Sequence, residues 1–115
     1  MDLVLKRIYE PATKQDGIRI LVDGLWPRGL TKSRAALDLW LKEAAPSSGL
    51  RKWFAHQPDR WEEFRIRYLE ELAAQPERVA PILEHARSGR TTLLFGAKDE
   101  DRNQAVVLAE FVRSL

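Results

Sequence analysis

The stretch Ile18-Arg19-Ile20-Leu21-Val22-Asp23-Gly24-Leu25-Trp26-Pro27-Arg28-Gly29 decides the fold. Ile18 to Val22 is apolar and rich in β-branched residues apart from Arg19, and it reads as a strand. Asp23 ends it. The two glycines and the proline that follow demand an irregular loop, because glycine opens positive φ and proline fixes φ while removing a donor. A polar loop at the carboxyl end of an apolar strand is the usual ligand position in an open α/β sheet, so the elements around this loop determine what it can do.

Toward the N-terminus, Leu3 to Ile8 reads as a first strand, closed by the turn-rich run Glu10 to Gly17. Toward the C-terminus, Leu37-Asp38-Leu39-Trp40-Leu41 alternates apolar and polar residues, as a short strand or a single helical turn does, and a strand is the preferred reading. Ser47 or Ser48 then caps a short helix with Leu50, Trp53 and Phe54 on one face. Pro58 opens the next helix, with Asp59, Glu62 and Glu63 in its first turn, where the helix dipole favours acids. Trp61, Phe64, Tyr68, Leu69 and Leu72 form its apolar stripe. A further helix is predicted from about Glu77 to Ser88, stopped by Gly89, with Pro81 delaying its start or kinking it. Thr91 to Phe95 is a compact β-rich run and reads as a buried strand. Gly96 to Lys98 turns the chain and Asp99 caps a last helix bearing Ala105, Leu108, Ala109, Val112 and Leu115 on one face. The expected class is α/β: a small, mainly parallel or mixed sheet covered by helices, in a single compact domain spanning residues 1–115.

Composition narrows the function. The 115 residues are 44% hydrophobic and 31% charged, as in globular proteins. The absence of cysteine excludes a disulfide framework, a thiolate nucleophile and a thiolate metal site, and suits a reducing compartment. Asp2 and the early pair Lys6-Arg7 do not make a secretory signal, and no apolar run reaches membrane-spanning length, so a cytoplasmic protein with no membrane partner is expected. The net charge of +2 has its basic excess in residues 1–60. That suits an anionic ligand or weak nucleic-acid attraction without forming the dense basic stripe of a dedicated nucleic-acid binder.

Two junctions carry the polar chemistry: Asp23 to Arg28, and Lys98-Asp99 running into Arg102. If the strands before them are parallel neighbours, Asp23, Arg28, Lys98, Asp99 and Arg102 share a cleft; otherwise these are solvated strand ends. Arg28, between Pro27 and Gly29, either aims its guanidinium at an anion or clamps Asp23 and loop carbonyls. Trp26 either walls the cleft or anchors its own loop. Asp23 either orients Arg28 or acts as a base. His56, just before Gln57-Pro58, either delivers a proton or contacts an anion at a helix start, or is merely a residue of the cap region. The expected site is thus Asp23 and His56 as catalytic groups, with Trp26, Arg28, Lys98, Asp99 and Arg102 binding ligand. No metal or cofactor is expected: Asp99, Glu100 and Asp101 suit a first helical turn better than a magnesium site, the two histidines lack ligand spacing, and there is no phosphate-binding loop, dinucleotide fingerprint or nucleophile elbow. Arg51-Lys52 beside Trp53 and Phe54 leaves nucleic acid as an alternative partner for a non-catalytic interaction module, and self-association stays open.

Taken together, Leu21 to Gly29, Trp40-Leu41-Lys42, Ala45-Pro46-Ser47, Leu50 to Phe54, His56, Pro58, Arg60 to Phe64 and Ala97-Lys98-Asp99 resemble the YeaO-like branch of the domain of unknown function 488 family, over nearly the whole chain. The resemblance implies a compact bacterial or archaeal cytosolic α/β protein with no established activity. It also marks departures. The family usually resembles Asp-Arg-Leu-Trp-Pro-Arg-Gly where this chain has Gly24, often has histidine where it has Arg102 and Gln104, and in its wider membership shows a Cys-His-Arg cluster near the last helix whose cysteine is missing here.

Overall fold

The apolar β-rich segments form four strands in the computed structural model, which describes Met1–Leu115. These are β1 (Leu3–Arg7), β2 (Ile18–Leu21), β3 (Leu39–Trp40) and β4 (Thr91–Phe95). Helix α1 (Lys32–Ala35) joins β2 to β3, while α2 (Ser48–Phe54), α3 (Trp61–Ala74) and α4 (Ala80–Ser88) lie between β3 and β4, and α5 (Gln104–Arg113) closes the chain. All strand pairs are parallel, in the order β1-β4-β2-β3. Leu93 pairs with Leu5 on one side and Ile20 on the other, which puts β4 at the centre, buried on both faces.

The two-residue period of the strands sorts the core into two layers. Ile20, Val22, Leu93 and Phe95 face Leu50, Phe54, Phe64, Tyr68, Leu72, Ile82, Leu108 and Val112 from α2 to α5. Each such side chain, fully buried, contributes roughly 1.5–3 kcal/mol. Leu21 and Leu94 point the other way, joining Ile8 and Ala35 under Trp26, Leu30, Leu37 and Trp40. This second, thinner layer also holds a buried polar knot. Asp16 accepts from Lys6 Nζ at 3.0 Å and Arg19 Nη1 at 2.6 Å, and Arg19 also donates to the Ala35 and Ala36 carbonyls.

Several boundaries depart from the expectations. The strand in Leu37 to Leu41 shrinks to Leu39–Trp40 at the sheet edge. Pro58 and Pro76 each begin a 3-10 turn, Pro58–Arg60 and Pro76–Val79, that runs into the α-helix behind it. Pro81 then falls in the first turn of α4, where its missing N–H costs nothing. The last helix is capped by the Asn103 side chain, which accepts the Val106 N–H, and not by Asp99. Asp99 instead folds onto the Asp101 and Arg102 N–H groups, which hold its carboxyl below the ordinary range. Leu115 lies past α5 and is exposed. No helix is long and apolar enough to cross a membrane.

Candidate functional site

Because β2 and β4 are adjacent and parallel, the loops after them leave the same edge of the sheet. Val22 N–H donates to the Leu94 carbonyl at 3.1 Å, extending the ladder one residue past β2 and delivering Asp23 to the rim. There Asp23 Oδ2 accepts the Gly96 N–H at 2.9 Å, and Oδ1 accepts from Gln104 Nε2 at the first turn of α5. Its own carbonyl accepts the Trp40 indole N–H at 2.8 Å. A Cβ on Gly96 would stand 2.9 Å from Asp23 Oδ2, so a larger residue there would push the carboxylate aside. Asp23 is in no ion pair. Burial pushes its carboxyl up to about 6, against the opposing pull of the Gly96 N–H.

Asp23 and Gln104 line a cavity of about 370 Å³. Phe54, Phe64, Leu25, Pro46 and Ala97 make its apolar wall, and Arg51, Lys52 and His56 add its basic groups. Phe54 and Phe64 are stacked with ring centroids 4.3 Å apart and sit at the middle of an aromatic row that continues through Trp61 and Tyr68. Tyr68 is fully buried behind them, its hydroxyl donating to the Ala44 carbonyl. Leu25 lies at the cavity mouth, 60% exposed.

Helix α2 supplies both the wall and the charge. Ser47 caps it by accepting the Leu50 N–H at 3.2 Å, and it ends in two successive left-handed residues, Ala55 (φ 46°) and His56 (φ 55°). That conformation costs a non-glycine residue on the order of 1 kcal/mol or more. It reverses the chain toward Pro58 and sets the His56 ring 5.9 Å from that of Phe54. A second cavity of about 420 Å³ adjoins, lined by His56, Gly96, Ala97, Lys98 and Asp99, so His56 and Ala97 form the partition.

The cleft expected around five charged residues is therefore redistributed. Asp23 and His56 line the first cavity together, and Lys98 and Asp99 line its neighbour. Arg102 lines neither cavity and pairs with Asp99 at 3.5 Å, exposed. Arg28 is exposed and lines neither cavity. Its side chain makes no hydrogen bond to Asp23 or to a loop carbonyl, while its own carbonyl accepts the Tyr9 hydroxyl at 2.8 Å. Trp26 also lies outside: its indole donates to the Leu30 carbonyl at 2.7 Å and its ring meets Trp40 edge-on at 5.2 Å, which anchors the loop to the second core layer. No three His, Asp or Glu side chains converge to hold a metal.

Sequence reasoning missed Gln104, and it placed Arg51 and Lys52 only in the alternative nucleic-acid contact and not in this cavity. Gln104 follows the real cap, Asn103, so its approach to Asp23 emerges only when the helix start is placed correctly. Arg51 and Lys52 lie between the buried residues Leu50 and Phe54 of α2, and their place next to Phe54, a wall residue, was the available signal. Neither is in an ion pair within the chain.

The sequence has relatives among known proteins. The chain is 45% identical to the uncharacterized protein YeaO of Escherichia coli over 115 residues, the whole of both chains. It is 37% identical to the uncharacterized proteins Mb3100c of Mycobacterium bovis and Rv3073c of Mycobacterium tuberculosis over 106 residues, 92% of this chain and 89% of theirs. No solved structure matches it. The family model described as the inactive DUF488-N3 subclade matches residues 2–115, and with these relatives it shows that the chain belongs to that subclade of the DUF488 family.

Proposed function

We propose that this chain binds small anionic molecules that carry an apolar body, and that it does so without covalent chemistry. The observation that carries the reading is the cavity beyond β2 and β4, where an aromatic wall meets two basic side chains that have no ion-pair partner in the chain. Its volume of about 370 Å³ falls within the roughly 300–1,000 Å³ typical of small-ligand sites. Arg51 and Lys52 supply the positive field, with Lys98 adding to it from the adjoining cavity, and His56 contacts the ligand from the partition between the two. Binding without turnover is supported by the subclade's description as inactive and by the lack of a thiol nucleophile. The cytoplasm is the setting in this reading, in keeping with a cysteine-free chain.

Isothermal titration with 3-phenylpropionate, phenyl phosphate and inorganic phosphate tests it. Both aryl anions should bind more tightly than phosphate, and Arg51→Gln with Lys52→Gln should weaken them about tenfold or more, the loss expected for charge-assisted contacts. Absence of binding by either aryl anion, or binding indifferent to the double substitution, overturns the reading. Binding of single-stranded DNA or RNA that weakens steeply with salt, in place of the aryl anions, would overturn it in favour of an interaction module.

A further inference from the structure

The cavity holds more than an anion site, because Asp23 stands on its wall facing no cation. Both carboxylate oxygens are engaged, yet only by neutral donors, the Gly96 N–H and the Gln104 amide. A carboxylate removed from water needs either a proton or a positive partner, and neutral hydrogen bonds compensate its charge only in part. The ion pairs of the chain serve other acids: Lys6 and Arg19 pair with Asp16, Arg65 with Glu110, Arg67 with Glu63, Arg90 with Asp2 and Arg102 with Asp99, six of the 19 Lys and Arg residues and none of them on Asp23. The two on the cavity wall, Arg51 and Lys52, make no ion pair with it. One cavity therefore presents an uncompensated acid and uncompensated bases, with an aromatic wall.

We infer that the cavity is built for a zwitterion, a small molecule whose ammonium group meets Asp23, whose carboxylate meets Arg51 and Lys52, and whose apolar side chain lies against Phe54 and Phe64. Free amino acids with apolar side chains are the chemical class that fits. Each carboxylate oxygen of Asp23 accepts one hydrogen bond from the protein and keeps a lone pair for a further donor. The Gln104 amide fixes the carboxylate while its own oxygen stays available to an N–H of the ligand. Gly96 lets the backbone approach without a side chain that would displace Asp23. Leu25 at the mouth supplies apolar cover for the bound side chain. The inference rests on the anion-binding reading and adds to it a required positive group.

Three probes of the same shape separate the two ideas: L-phenylalanine, 3-phenylpropionate, which lacks the ammonium, and 2-phenylethylamine, which lacks the carboxylate. Titrated at about pH 8, where Asp23 is ionised, L-phenylalanine should bind about tenfold or more tightly than either analogue, the loss typical of one charge-assisted contact. Asp23→Asn should erase the advantage over 3-phenylpropionate alone. Arg51→Gln with Lys52→Gln should erase the advantage over 2-phenylethylamine alone. If 3-phenylpropionate binds as tightly as L-phenylalanine, the zwitterion inference fails while anion binding stands. If 2-phenylethylamine binds as tightly as L-phenylalanine, or none of the three binds, the anion reading fails and takes the inference with it. Circular dichroism of each variant establishes that its fold is intact, and should Asp23→Asn misfold, Gln104→Leu serves instead, with a selective loss of the phenylalanine preference expected and an unchanged preference overturning the assignment.

Discussion

Gln104 donates its side-chain amide to the Asp23 carboxylate, joining the first turn of α5 to the end of β2 across the mouth of β4. An amide suits this position because it serves either protonation state of the acid. Nε2 donates to a carboxylate, and Oε1, once the amide is turned, accepts from a carboxylic acid. A cation in its place would compensate Asp23 within the chain; glutamine leaves that to the ligand.

An acid whose folded value is pushed up to about 6 from an ordinary 3.8 destabilises the protein when ionised. The native state holds its proton more tightly than the unfolded chain, so stability falls as pH rises through that window and is level above it. The groups around Asp23 are Gln104 and the Gly96 N–H in contact, Arg51, Lys52 and His56 on the cavity wall, and Tyr68 behind. Asp23→Asn, which keeps the shape and removes the charge, should stabilise the protein by about 2 kcal/mol at neutral pH, a shift of about two units at 1.36 kcal/mol each, discounted for partial exposure. Urea denaturation at about pH 4 and 8 measures it: the variant should gain little at the lower value, about 0.5 kcal/mol. A destabilised variant at the higher pH would show that the ionised acid supports the fold.

Asp16 gives the opposite slope. Burial alone would raise its carboxyl, but the Thr13 N–H, Lys6, Arg19 and the Thr13 hydroxyl outweigh that and hold it well below the carboxylate range. Its contribution is present above the unfolded value near 3.8 and is lost as pH falls toward its folded value. Asp16→Asn should cost about 3–5 kcal/mol at neutral pH, since Arg19 is left buried without its charge partner. Denaturation midpoints from about pH 2 to 7 should show the acid limb of the wild type flattened in the variant.

How far the sequence carried these conclusions depends on the kind of interaction. Ile18 to Val22 and Thr91 to Phe95 were legible as strands because burial on one or both faces leaves its mark along the chain itself. Parallel adjacency of β2 and β4 was not, since β4 enters the sheet between β1 and β2 only after β3 and four α-helices, and no local pattern encodes that insertion. The site followed the same division. Asp23 and His56 stood out beside glycine and proline, whereas Gln104 contacts Asp23 from 81 residues away. Arg28 and Trp26 stood out for the same local reason and lie outside the cavity, because Pro27 and Gly29 turn that end of the loop to the opposite layer.

Those two loop residues should separate cleanly in experiment. Arg28→Ala removes an exposed side chain with no hydrogen bond or ion pair, so stability should change by less than about 0.5 kcal/mol and aryl-anion affinity should not change. Trp26→Ala removes the indole from the second core layer and leaves the Leu30 carbonyl without its donor, at a cost of about 3–5 kcal/mol. Thermal denaturation and one titration per variant check both. Loss of binding in Arg28→Ala with the fold intact would move the ligand site to the outer end of the loop.

Gly24 offers the sharpest test of what the cavity recognises. A Cβ there would meet only the Ala45 Cβ, at 3.5 Å, an ordinary contact, and its φ is not in the left-handed region, so a larger residue fits the backbone. Gly24 lines the cavity next to Asp23, and the family pattern this chain resembles usually has arginine at that position. In Gly24→Arg the guanidinium would pair with Asp23, lower its carboxyl from about 6 and take the place assigned to a ligand ammonium. Affinity for L-phenylalanine should fall about tenfold while 3-phenylpropionate binds at least as well as before, because the added charge favours a bare anion and competes with a zwitterion. The destabilisation that Asp23 causes above about pH 6 should shrink in the same variant, since the new partner compensates the charge. An unchanged order of affinities would mean that the ligand's positive group, if it has one, is not held by Asp23.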